Sequence, residues 1–203
     1  MTAFPYRGRN LCALHLFIDS NVLIAAMDRD DETARRSKDL LRLWSEGWIS
    51  LSRTDTLDTE RLDGQEDLVR FQRMAESADL PEALGPFVWD HSRWDHAVYG
   101  SPEDERRIRD VFALFFPNKD WSTANKNSQR DAMHVATAVR HGGYAFVTAE
   151  KALYKRDVQI KEMLGIHIWS PQQAVVEAMR AVSALRRRHE LDPQRGPLPE
   201  WPT

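Results

Sequence analysis

Cysteine is almost missing from this chain of 203 residues, and Cys12 is the single one. That excludes an intrachain disulfide framework and fits a reducing compartment. Positive charge is not in excess either: 28 Lys and Arg stand against 31 Asp and Glu, for a net charge of −3. No global positive field draws the chain to a polyanion, so such a contact needs local Lys and Arg or bound cations. No apolar run is long enough to span a bilayer, and the opening MTAFPYRGRN lacks the apolar stretch of a secretory signal. A cytoplasmic protein is the expectation. Neither an internal repeat nor a second domain is visible. What is present is 42% hydrophobic and 29% charged residues, the balance of a soluble globular domain with a real core.

The apolar residues are arranged as strands alternating with helices. ALHLFI (13–18) reads as a strand buried on both faces, and NVLIAAM as a short helix with Ser20 or Asn21 near its start. DETARRSKDLLRLWSEG is amphipathic, with Ala34, Ser37, Leu41 and Trp44 on one face and Gly47 as its stop. WISLS (48–52) is a second strand, TDTLDTERL a further helix, residues 66–79 another, and FVWD (87–90) a candidate third strand. SPEDERRIRDVFALFF opens with Ser101 as cap, Pro102 at the first position and acids in the first turn. SQRDAMHVATAVRHGG, YAFVT, AEKALYKR and IHIW follow as helix, strand, short helix and strand. PQQAVVEAMRAVSALRRRHE is a last amphipathic helix, and LDPQRGPLPEWPT a Pro-rich tail expected to be mobile. The pattern predicts an α/β fold with a central parallel sheet of four or five strands and helices on both faces.

Ligands of such sheets bind at the carboxyl ends of the strands. Asp19 ends the first strand, Glu60 follows the second, Glu150 follows YAFVT, and Asp131 stands near the start of the helix leading into that strand. Clustered carboxylates raise one another's pKa values. A hard divalent cation, Mg²⁺ or Mn²⁺, removes the conflict, and one or two such ions activate water for attack on a phosphodiester. Each acid taken singly has a plainer reading. Asp19 is a helix cap, Asp131 and Glu150 complement helix N-termini, and Glu60 is a solvated acid with which Asp55, Asp58 and Asp63 compete.

LFIDSNVLI, TDTLDTERL and RDAMHVATAVRHGGYAFVTAEKAL, in that order, resemble the PIN-domain family of metal-dependent ribonucleases, which includes the VapC-type toxins of bacterial toxin–antitoxin pairs. The resemblance covers most of residues 14–169 and is thin between about 65 and 125. It implies a three-layer α/β/α nuclease domain over 11–170, to which the sequence adds a helical elaboration about 61–125, a C-terminal helix over 171–189 and the tail over 190–203. It also implies Asp19, Glu60 and Asp131 as the catalytic, metal-binding triad, Glu150 as the fourth acid, and Ser20 and Thr148 as supporting hydroxyls. Two departures stand out: the fourth position is commonly Asp, and the chain is longer than a small toxin.

The expected activity is hydrolysis of single-stranded RNA. Lys126, Arg130 and Lys151 are candidate phosphate contacts, and an antitoxin protein and a second copy of the chain are candidate partners. The alternative is a catalytically silent PIN-like module that binds RNA or protein. Asp90, His91, Asp95 and His96 read as polar loop residues, and His134 as a hydrogen-bonded helix histidine. Arg186, Arg187 and Arg188 complement a helix C-terminus, whereas Trp94 and Trp121 either pack or stack on bases.

Overall fold

The computed structural model describes residues 9–55, 80–88, 92, 97–192 and 197–202, with Asp28 by its backbone alone. Five strands form one parallel sheet in the order β3-β2-β1-β4-β5. They are β1 (His15–Ile18), β2 (Ser50–Thr54), β3 (Glu82–Ala83), β4 (Ala145–Val147) and β5 (His167–Trp169). The register sets Phe17 opposite Ser52 on one side and Phe146 on the other.

The period-two alternation of the strands divides the core between two faces. Leu16, Ile18, Leu51, Val147 and Trp169 point to the face covered by α1 (Ser20–Asp28), α2 (Glu32–Ser45) and α7 (Pro171–Leu191). Phe17, Phe146 and Ile168 point to the other, against α3 (Pro102–Phe115), α4 (Lys126–Arg140) and α6 (Asp157–Leu164). A one-turn helix, α5 (Lys151–Tyr154), precedes α6. The result is the expected three-layer α/β/α order. No helix among the described residues is long and apolar enough to cross a membrane.

The orientation of α4 decides where its acid goes. Its last turn leads into Gly143, whose N–H bonds Ala138 O, and Tyr144 N–H then bonds His15 O at the amino end of β1. The C-terminus of α4 therefore lies at the amino edge of the sheet, and its N-terminus at the carboxyl edge. The turn admits no side chain at 143, because a Cβ there would stand 2.7 Å from the Phe17 ring and 2.9 Å from Ala138 O.

Some expectations need correction. Phe87 and Val88 of FVWD are not in the third strand, and Trp89 and Asp90 fall outside the described residues. The partner of β2 is the two-residue β3, and Phe87 instead bonds Val98 O beside an isolated bridge between Pro86 and Val98. The second strand is shifted two residues toward the C-terminus of WISLS. DVQIKEML forms α6, which sequence periodicity did not reveal because it buries only Ile160. The tail expected to be mobile lies back on the molecule over its described part. Pro199 and Pro202 are buried, and Arg186 donates to Pro199 O. The helix expected at 66–79, and most of the one expected from TDTLDTERL, fall outside the described residues.

Candidate acidic site at the carboxyl edge

Asp19 occupies the cap position of α1, yet its side chain makes no capping bond. Its backbone continues the sheet ladder through Asp19 N–H to Val147 O at 2.9 Å. The carboxylate is buried and turned across the edge of β4. Thr148 Oγ1 donates to Oδ2 at 2.8 Å, Asn21 Nδ2 to the same oxygen at 2.7 Å, and Ser20 Oγ to Oδ1 at 3.1 Å. Asn21 also accepts from Ala149 N–H at 2.9 Å, and Thr148 Oγ1 accepts from Glu150 N–H at 3.0 Å. The start of α1 and the segment after β4 are thus laced together around one carboxylate.

Glu150 follows in that segment, at the cap position of α5, and likewise makes no side-chain cap. Burial raises its pKa, and the charge of Asp19 raises it further. Desolvation and a like charge both disfavour the ionised form. The two acids therefore share one electrostatic environment, although 131 positions separate them in sequence.

Asp131 lies in the second turn of α4, one turn before His134. The imidazole of His134 hydrogen-bonds through Nδ1 to Thr54 Oγ1, at the carboxyl end of β2, and stacks on Phe146 of β4 at 6.0 Å. Residues three apart share a helix face. Asp131 therefore stands on the face of α4 turned to the sheet, one turn closer to its carboxyl edge. Glu60, with its competitors Asp58 and Asp63, lies outside the described residues. Among the described residues, no group of three or more His, Cys, Asp or Glu side chains that could hold a metal ion comes together. Asp19 and Glu150 are the two whose coupling is visible.

The expected basic residues differ in kind. Lys126 and Lys151 are exposed in the first turns of α4 and α5, whereas Arg130 is buried. Asp90, His91, Trp94, Asp95 and His96 fall outside the described residues. Cys12 is half-buried, and burial pushes its thiol up to about 11 with Arg188 only partly opposing, which disfavours the thiolate.

Two residues carry more than the sequence suggested. Asn21 looks like a helix cap but bridges Asp19, Thr148 and Ala149. Its only sequence signal is its place two residues after the strand-ending acid. Asp55, just past β2, is largely buried and pushed up to about 6 by that burial, with Gly85 N–H and His134 opposing and Glu82 reinforcing the shift. No protein-family model matches the chain, and no curated protein matches it.

Proposed function

We propose that the chain is a divalent-metal-dependent endoribonuclease that hydrolyses phosphodiester bonds in single-stranded RNA. One observation carries the reading: a buried, hydrogen-bonded Asp19 coupled to Glu150 at the carboxyl edge of a parallel sheet. A pair of carboxylates that raises the cost of its own ionisation is stabilised by a cation, and all-oxygen donors suit Mg²⁺ or Mn²⁺. Asp19 and Asp131 would hold the ion, with Glu60 and Glu150 completing or extending its shell. Once bound, the ion supplies Lewis acidity toward a phosphoryl oxygen and an acidified water.

The chain's own residues do the rest. Thr148, Asn21 and Ser20 fix the plane of the Asp19 carboxylate, so its oxygens need no reorganisation when substrate arrives. The raised pKa of Glu150 makes its carboxylate a better proton acceptor than an ordinary glutamate, able to take a proton at an Oε atom from an attacking water. Lys126 and Lys151, exposed in the first turns of α4 and α5, give phosphates local positive charge on a chain that is acidic overall.

Purified protein is expected to cut single-stranded RNA with Mg²⁺ or Mn²⁺ and to stop with EDTA. Asp19→Asn keeps the size of the side chain and removes the charge, so the fold should persist while cleavage disappears. Cleavage by folded Asp19→Asn, or cleavage indifferent to EDTA, would refute the reading. A metal-loaded wild type that binds RNA without cutting it would establish the silent module instead. A toxin role adds a further expectation: expression arrests host growth, and Asp19→Asn abolishes the arrest.

A further inference from the structure

A cavity of about 520 Å³ opens between the N-terminal half of α3 and the loop after β3. Its walls are Pro86, Phe87, Ile108, Arg109, Glu105 and Trp121. The volume lies in the range of small-molecule sites, which is about 300–1,000 Å³. The guanidinium of Arg109 lies over the indole of Trp121, 4.4 Å from the ring centroid, and 46% of the Arg109 side chain is still exposed. The indole is braced from beneath by an edge contact with Phe112 at 5.1 Å. A flat cation seated on a flat aromatic ring, facing open space, is a platform for another planar group. Glu105 Oε1 stands 3.5 Å from Arg109 Nη2 and gives the cavity a carboxylate acceptor at its rim.

The cavity is tied to α4 by a specific bond. Gln129 Nε2 donates to Trp121 O at 2.7 Å, and Gln129 lies two residues before Asp131 on α4. Asp120 caps the short turn that carries Trp121, so the indole is held in place relative to the start of α4.

We propose that this cavity is a nucleobase subsite, in which a base stacks on the Arg109–Trp121 platform and donates an exocyclic amino hydrogen to Glu105. The proposal rests on the ribonuclease reading for its substrate class. It selects for adenine, cytosine or guanine over uracil, because uracil has no amino group to offer a carboxylate.

The test separates the two readings by using nucleosides, which have no phosphate to cleave and need no metal. Isotope-labelled full-length protein is titrated with cytidine, adenosine, uridine and free ribose in EDTA, with the Trp121 indole N–H and the Arg109 and Ile108 amides followed by NMR. Saturable shifts with cytidine or adenosine, weaker ones with uridine and none with ribose are expected. Arg109→Ala should weaken binding about fivefold or more, the low end of what stacking on one base is worth. Glu105→Gln should erase the preference for amino-bearing bases. Absent shifts, equal shifts from ribose, or binding unchanged in Arg109→Ala would overturn the subsite, as would shifts produced by a proline-rich peptide and not by nucleosides. These results stand whether or not the protein cleaves RNA. If it does cleave, Arg109→Ala should raise KM and leave kcat nearly unchanged, and an unchanged KM would overturn the subsite without touching the nuclease assignment.

Discussion

Thr148 is the residue on which the acidic edge turns. Its hydroxyl donates to Asp19 and accepts from the backbone of Glu150, and it is fully buried. Thr148→Val keeps the shape and deletes both of these bonds and the one from Asn21 Nδ2. Losing a partner that orients a ligand typically costs about 10–100-fold in metal affinity or activity. A loss in that range is expected, with destabilisation of about 1–3 kcal/mol from the unsatisfied groups left behind. Nuclease assays and urea unfolding of the same preparation measure both. Asp55 gives a pH prediction of the opposite character. Its folded pKa of about 6 lies above the ordinary aspartate value of 3.8. Protonation therefore favours the folded state. Asp55's contribution is fully present below about pH 4, declines as pH rises, and is gone above about pH 6. The shift corresponds to roughly 3 kcal/mol at most. Asp55→Asn removes this titration and keeps an acceptor for Gly85 N–H. The variant should gain on the wild type, in urea unfolding free energy, between about pH 4 and pH 7. A difference that does not change with pH would contradict the assignment.

At the scale of elements, the site depends on how α4 is held over the sheet. Gly85, just after β3, is where the loop passes closest to that helix. A Cβ there would stand 2.5 Å from Thr137 Oγ1 and 3.0 Å from Asp55 Oδ1. Gly85→Ala should destabilise by about 1–3 kcal/mol through overpacking. Thr137→Ala in the same chain should recover part of the loss, and the double-mutant cycle reads the coupling directly. The start of α3, which lines the cavity, is set by a capping box in which Ser101 and Asp104 satisfy each other's backbone N–H groups. Asp104 also joins α3 to α4 through Arg140 at 2.9 Å. Ser101→Ala should cost about 1 kcal/mol, measurable as a lower denaturation midpoint.

At the scale of the molecule, the two edges of the sheet have different work. The carboxyl edge gathers acids. The amino edge is closed by the returning tail, where Arg186 sits between Trp48 and Trp201, with ring centroids 5.6 and 4.5 Å away, and donates to Pro199 O. Leu198 packs against the α1–α2–α7 side of the core. Ending the chain at Asp192 should therefore lower stability by about 1–3 kcal/mol, the value of one buried aliphatic side chain with its aromatic neighbours. RNA cleavage per folded molecule should be unaffected, because the acids lie at the other edge. Thermal unfolding and specific activity of the truncated chain check both halves of this expectation.

How much of this was legible before folding follows from what each feature depends on. The central strands and most helices could be read locally. β1, β4 and β5 are apolar runs bounded by polar stops, and α2, α3 and α7 repeat apolar residues at helical spacing beside recognisable caps. The all-parallel sheet followed from their alternation. The two-residue β3 has no period to detect, and Phe87 and Val88 are apolar because they line a cavity, not because they pair in a sheet. The acids could be named from their positions after strands, but the role of Asp19 could not be decided in sequence. Cap and ligand require the same residue at the same place. Only the tertiary structure shows that the Asp19 side chain does not cap α1, because a hydroxyl that engages it comes from Thr148, 129 residues further along the chain.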